Sequence, residues 1–233
     1  MVDELFALHE ASLIASWRLL AAADPAAAVV DDVGAVTMTH PHPALCNALL
    51  RSPAGLGRIR RLYGGRHHAV WVRDPYPALD AALAAAGYRR DERTVPMVLD
   101  LRQEPAADST AEVVQVDPAG VAEHSGVGRA MLAGVPHAYG HATAGWESWA
   151  VTVLTGAVAN VSFVGTRAEF RRRGLARAVV ARALRDARGR GATHATLQST
   201  AEAVGLYRGL GFRDAGAWQE WVAGGAVSAW GGP

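Results

Sequence analysis

Residues 171–177 read Arg-Arg-Arg-Gly-Leu-Ala-Arg and stand between a strand-like stretch and a long helical one. A helix start leaves backbone N–H groups without partners and carries the positive end of the helix dipole. Such a turn binds phosphate through its backbone. Arg171, Arg172 and Arg173 add planar donors suited to phosphate oxygens. Gly174 has no Cβ, and Ala176 is the next smallest residue at a second position of close approach. The dipole disfavours arginine at a helix start, so the run calls for a compensating anion. The pattern R-x-x-G-x-A therefore points to a diphosphate clamp rather than to an ordinary solvated basic face.

The elements that must hold this turn are legible from periodicity. Leu175, Ala176, Val179, Val180, Ala183 and Leu184 share one face, which predicts a helix over 172–188. Residues 147–165 predict two strands joined at Thr155-Gly156. Residues 192–199 read as a strand, 200–211 as a helix ending in glycine, and 212–222 as a closing strand or hairpin. Upstream, 111–117 reads as a strand, about 118–132 as a helix, and the Gly- and Pro-bearing run 134–146 as a loop.

In the first part of the chain, 3–23 predicts an amphipathic helix and 27–40 a β-hairpin. Residues 40–51 read as a loop and then a helix with Pro43 in its first turn. Strand 66–74 and helix 75–87 follow, then strand 94–102, with Pro96 near a strand start or edge. The polar run 102–110 is the best linker. The end of each half is alike: 82–91 aligns with 206–215, each a helix closed by glycine, then an aromatic and an arginine-containing strand. This order predicts a tandem pair of similar units.

The second half resembles the GNAT acyltransferase superfamily over residues 111–223. Arg171, Arg172, Arg173, Gly174, Leu175 and Ala176 match its motif A, and "LYRGLGF" at 206–212 matches the end of its motif B. Two departures are Ala176 for the commoner glycine and Ala168 for the commoner proline. The resemblance implies an α/β (α+β) fold: a mixed, mostly antiparallel sheet flanked by helices, in two tandem repeats. A degenerate unit would span 1–101, a linker 102–110, and the cofactor-binding catalytic unit 111–233. The first unit lacks the clamp, and Leu83 falls where Tyr207 falls in the second.

The same resemblance implies acetyl-CoA as co-substrate and an amine of a small molecule or peptide as acceptor. Attack would be direct, in a ternary complex. Strand 160–166 would hold the pantetheine arm through the backbone of Val164, Gly165 and Thr166. Arg177 and Ser199 complete the expected cofactor site, and Tyr207 would protonate the departing thiolate. A non-catalytic acyl-CoA-binding sensor or regulatory module is the alternative. The proton acceptor stays open among a water held by Asn160 and Ser162, Glu147, His137 and His141. Trp146, Trp149, Trp218 and Trp221 read as core packing, or as an aromatic wall around the acceptor.

Composition narrows the classes. Half of the 233 residues are hydrophobic and 19% are charged, as in a folded globular chain. A formal net charge of +1 argues against a nucleic-acid binder. All 23 basic residues are arginine, so no lysine amine is on offer. Cys46, the one cysteine, excludes an internal disulfide and fits a cytoplasmic chain. His40 with His42, and His67 with His68, lack a third ligand, so no metal is expected. No membrane span is expected either, and the oligomer is expected to be a monomer or homodimer.

Overall fold

The computed structural model describes residues 2–103 and 111–223. Helix α1 (Val2–Ala22) leads into strands β1 (Ala28–Asp32), β2 (Ala35–Thr39) and β3 (Asn47–Leu50). Helix α2 (Leu56–Tyr63), strand β4 (Ala69–Arg73), helix α3 (Pro77–Ala85) and the long strand β5 (Tyr88–Asp100) complete the first segment. The second segment opens with β6 (Val113–Val116), α4 (Pro118–His124), β7 (Ala138–Thr143), β8 (Ser148–Thr155) and β9 (Val158–Thr166). It closes with α5 (Leu175–Gly189), β10 (His194–Ser199), α6 (Val204–Arg208), β11 (Arg213–Asp214) and β12 (Trp218–Ala223).

All twelve strands form one sheet, ordered β1-β2-β3-β4-β12-β5-β10-β9-β8-β7-β6, with β11 paired to β5. Pairing is antiparallel except for β3 with β4 and β9 with β10. Helices flank it, as expected for a mixed, mostly antiparallel sheet. The final strand of each segment crosses over: β5 pairs with β10, and β12 returns to lie between β4 and β5. The sheet is thus continuous across the two segments.

Helix α1 is the one helix among the described residues long and apolar enough to cross a membrane. Its Phe6, Ile14, Trp17 and Leu20 are instead buried in a core with Met38, Trp71, Trp149 and Trp218. Its polar residues His9, Ser12 and Ser16 are buried too, so the helix is packed on much of its circumference. On the opposite side, α5 buries Val179, Val180 and Leu184 against Leu197 and Leu210. A third core gathers Ile59, Leu79, Leu83 and Trp221.

Four expectations are corrected. Residues 40–51 hold no α-helix: Pro43–Leu45 make a single 3-10 turn capped by His42, and Asn47–Leu50 is a wholly buried strand. The helix from 118 stops at His124, because Gly126 and Gly128 take left-handed φ of 76° and 84° before a 3-10 turn at Arg129–Met131. Residues 138–143, read as loop, form the paired strand β7. Its Gly140 is there for contact, since a Cβ would lie 2.9 Å from Val116 Cγ2. Pro96 sits inside β5, opposite Gln198. It falls where the other flank passes from β12, ending opposite Thr94, to β11, starting opposite Met97. The missing N–H therefore breaks no bond to either strand. The linker read at 102–110 lies mostly outside the described residues.

Candidate active site

The turn of arginines precedes the helix rather than opening it, which corrects the helix start read at 172. A 3-10 turn at Ala168–Phe170 follows β9, and Arg172 (φ 64°) and Gly174 (φ 79°) both take left-handed backbone before α5 starts at Leu175. Nothing lies within 4 Å of where a Gly174 Cβ would be, so its backbone conformation, not crowding, requires glycine. Gly174 supplies no side-chain cap, and the helical ladder begins with Ala178 N–H donating to the Gly174 carbonyl at 3.0 Å. The N–H groups of Leu175, Ala176 and Arg177 precede that ladder and face the helix N-terminus.

Arg171, Arg172 and Arg173 are exposed around this turn. Arg171 Nε donates to the Thr166 carbonyl at 3.4 Å, and Arg173 Nη2 to the Glu169 carbonyl at 3.0 Å. Arg177 Nη1 donates to the Gly209 carbonyl at 2.9 Å, which ties the start of α5 to the end of α6. A diphosphate fits such a place, with open backbone donors and positive charge but no obstructing side chain.

The neighbouring strand is splayed. β9 pairs with β10 only from Val158 to Asn160, so residues 161–166 have no strand on that flank among the described residues. A bulge sets their direction: β8 and β9 shift register between Trp149 and Val151, and Phe163 there adopts φ 50°. Val164, Gly165 and Thr166 are half-buried along the open stretch. Gly165 serves Trp149, whose ring would be 2.6 Å from a Cβ. The Thr166 hydroxyl is 2.9 Å from that of Ser148. Ser199 is buried and donates to the Thr200 carbonyl at 2.8 Å, so its hydroxyl turns into the chain.

Tyr207 is 6% exposed on α6, edge-on to Phe212 with ring centroids 6.0 Å apart. Burial pushes its phenol up to about 12, so the proton stays on at neutral pH.

Where β9 begins to part from β10 lies a cavity of about 320 Å³, walled by α1, by β9 and by strands of the first segment. Asn160 and Ser162 line it, as do His9, Trp17, Trp71, Glu92 and Phe163. Glu147 and His141 do not: Glu147 is held by the Thr143 hydroxyl, and His141 Nε2 meets Asp186 on α5 at 2.7 Å. His137 is a left-handed residue ahead of β7, also outside the cavity. The aromatic wall comes from Trp17 and Trp71 rather than from the four tryptophans of the second segment. Of those, Trp146 stacks on His124 at 3.9 Å, and Trp218 packs on Phe6. A larger hollow, about 660 Å³, is lined by Arg60, Arg61, His68 and Tyr88 on α2, β5 and nearby loops, remote from β9. No group of three metal-ligating side chains occurs among the described residues.

Sequence reasoning missed His9, Trp17, Trp71 and Glu92. No spacing signals them as one site, because they come from three separate elements, α1, β4 and β5.

The sequence profile of the acetyltransferase (GNAT) family matches residues 96–212. Among solved structures, the chain is similar to a GCN5-related N-acetyltransferase from Kribbella flavida, at TM-score 0.70 and 19% identity over 92% of this chain and 96% of that one. A GCN5-related N-acetyltransferase-like protein from Streptococcus suis gives 0.60 and 16%, over 85% and 88%. A tandem GNAT protein from the clavulanic acid biosynthesis pathway gives 0.50 and 19%, over 85% and 83%. No curated protein matches the chain.

Proposed function

Because the chain belongs to the GNAT acetyltransferase family, we propose that it moves an acetyl group from acetyl-CoA to an amine of a small molecule or peptide by direct attack in a ternary complex. The carrying observation is that three features meet along one strand: the uncapped start of α5, the unpaired stretch of β9, and the cavity at that stretch's other end. Bound acetyl-CoA would supply the activated acyl group as a thioester. Arg171, Arg172, Arg173 and Arg177, with the amides from Gly174 to Arg177, would hold its diphosphate. The backbone of Val164 to Thr166 would align its arm. The protonated Tyr207 phenol is the donor for the departing sulfur. An oxyanion would be met by β9 amides that no strand occupies.

The two segments are read as GNAT-like units, 1–101 and 111–233, of which the second carries the cofactor. In support, each has a parallel strand pair, β3/β4 and β9/β10, followed by a helix, and each lends its last strand to the other. The first unit then forms the acceptor side of the cavity. The sensor alternative gains nothing from a walled cavity beside the thioester strand. Calorimetry with acetyl-CoA, followed by an amine panel with a free-thiol readout, tests the reading. Absence of acetyl-CoA binding would reject it.

A further inference from the structure

The cavity is acidic in a chain rich in arginine. Among the described residues its walls include no arginine, and their ionisable side chains are His9 and Glu92. His9 is fully buried, its ring nitrogens have no hydrogen-bond partner of good geometry among the described residues beyond the nearby Leu197 backbone, and burial lowers it to about 4. It is neutral at physiological pH and adds no positive charge. Glu92 on β5 is raised, first by burial, then by Asp91 and Glu202.

Beside it stands a second carboxylate. Glu220 of β12 faces Trp71 of β4 across the ladder, at the bulge between Gln219 and Trp221. It is 0% exposed, and among the described residues its carboxylate oxygens have no hydrogen-bond partner of good geometry, only the Glu92 backbone nearby. Burial, with Asp91 and Glu92 as like charges, pushes it up to about 7. Gln219 Nε2 clamps this corner by donating to the carbonyls of Asp91 and Glu92 at 3.2 and 3.3 Å. A buried carboxyl beside a cavity-lining carboxylate is relieved either by holding a proton or by a cation in the site. Trp17 and Trp71 on the same walls favour a cation with an apolar body.

We propose that Glu92 is the proton acceptor for the acceptor amine, that the neighbouring Glu220 carboxyl tunes it by charge, and that the cavity selects a small monocationic amine with an apolar or aromatic body. This rests on the acetyl-transfer reading above. The ammonium N–H proton passes to a Glu92 carboxylate oxygen, which frees the nitrogen lone pair. The lone pair then forms the bond to the thioester carbonyl carbon, the carbon–sulfur bond breaks, the sulfur takes a proton from Tyr207, and the second proton that the nitrogen sheds on becoming an amide restores the Tyr207 phenol. The charged groups acting on the pair are Asp91 on β5 and Glu202 after β10, while the neutral His9 of α1 lines the same cavity, so the acid limb of activity reports the coupled carboxylates.

The test uses the full chain with phenethylamine and cyclohexylmethylamine against phenethyl alcohol and cyclohexylmethanol. Calorimetry is expected to show the amines binding about tenfold or more tighter than the alcohols, with Glu92→Gln abolishing that preference. In thiol release with acetyl-CoA, Glu92→Gln should lower kcat/KM about 100-fold and Glu92→Asp should restore part of it, while acetyl-CoA affinity is unchanged. Glu220→Gln should move the acid limb to lower pH, which a purely structural role would not do. Equal binding of amine and alcohol, or a Glu92→Gln enzyme with wild-type kcat/KM and pH profile, overturns the proposal while leaving acetyl transfer standing. Failure of the wild-type chain to bind acetyl-CoA rejects the transfer reading and the base role with it. The amine preference is then judged by the binding arm alone.

Discussion

Ser12 on α1 and Thr196 on β10, 184 positions apart, place their hydroxyls 2.8 Å from each other in the buried interior. Asn160 Nδ2 donates to the same Thr196 oxygen at 3.2 Å. Thr196 is also the last residue of β10 paired with β9, opposite Asn160. One hydroxyl therefore fixes the N-terminal helix at the point where the two strands begin to part.

Replacing Thr196 by valine keeps the shape and leaves the Ser12 hydroxyl and the Asn160 amide without their buried partner. The expected loss is about 1–3 kcal/mol in urea unfolding. The Ser12→Ala/Thr196→Val double variant should lose less than the sum of the singles, since the two share one bond. Strict additivity would show that the contact carries no coupling.

Gly174 is predicted to separate binding from folding. With open space around it, a glutamate there meets no clash, and the left-handed φ of 79° costs about 1–2 kcal/mol. The added carboxylate would itself occupy the positive end of α5. Gly174→Glu should thus stay folded by circular dichroism and lose acetyl-CoA binding in calorimetry. Undiminished binding would move the diphosphate elsewhere.

Tyr207→Phe keeps the ring against Phe212 and removes only the hydroxyl, whose pKa burial pushes up to about 12. Turnover should fall by about 100-fold while acetyl-CoA affinity changes little. Turnover equal to wild type would leave the ring as packing alone.

The turn from Arg171 to Ala176 was legible in the sequence because its chemistry is local: glycine, arginines and a helix start are consecutive. The hairpin at β1 and β2, the β8–β9 pair and α5 were legible from their periods for the same reason. β7 was not, because Gly140 serves a contact with Val116 that no nearby residue reveals. Pro96 misled likewise, since its place depends on where two distant strands end. The cavity was the least legible feature. His9, Trp71, Glu92 and Glu220 meet only because β5 and β12 each cross into the other segment's part of the sheet.

His9 gives the remaining prediction a defined sign. Its folded pKa is lowered, by burial, from 6.5 to about 4. The unfolded chain therefore takes up a proton below about pH 6.5 that the folded chain refuses until about pH 4. The stability tied to His9 is complete above pH 6.5, declines as pH falls through that window, and is lost below it. A shift of this size corresponds to about 3 kcal/mol. His40, His68 and His141 are lowered by burial as well, so the wild-type slope is a sum over several groups. The difference between wild type and His9→Leu isolates the one residue. Urea unfolding at pH 7.5 and pH 4.5 should show wild type losing more stability on acidification than His9→Leu does. Parallel losses in the two proteins would mean that the imidazole reaches water in the folded state.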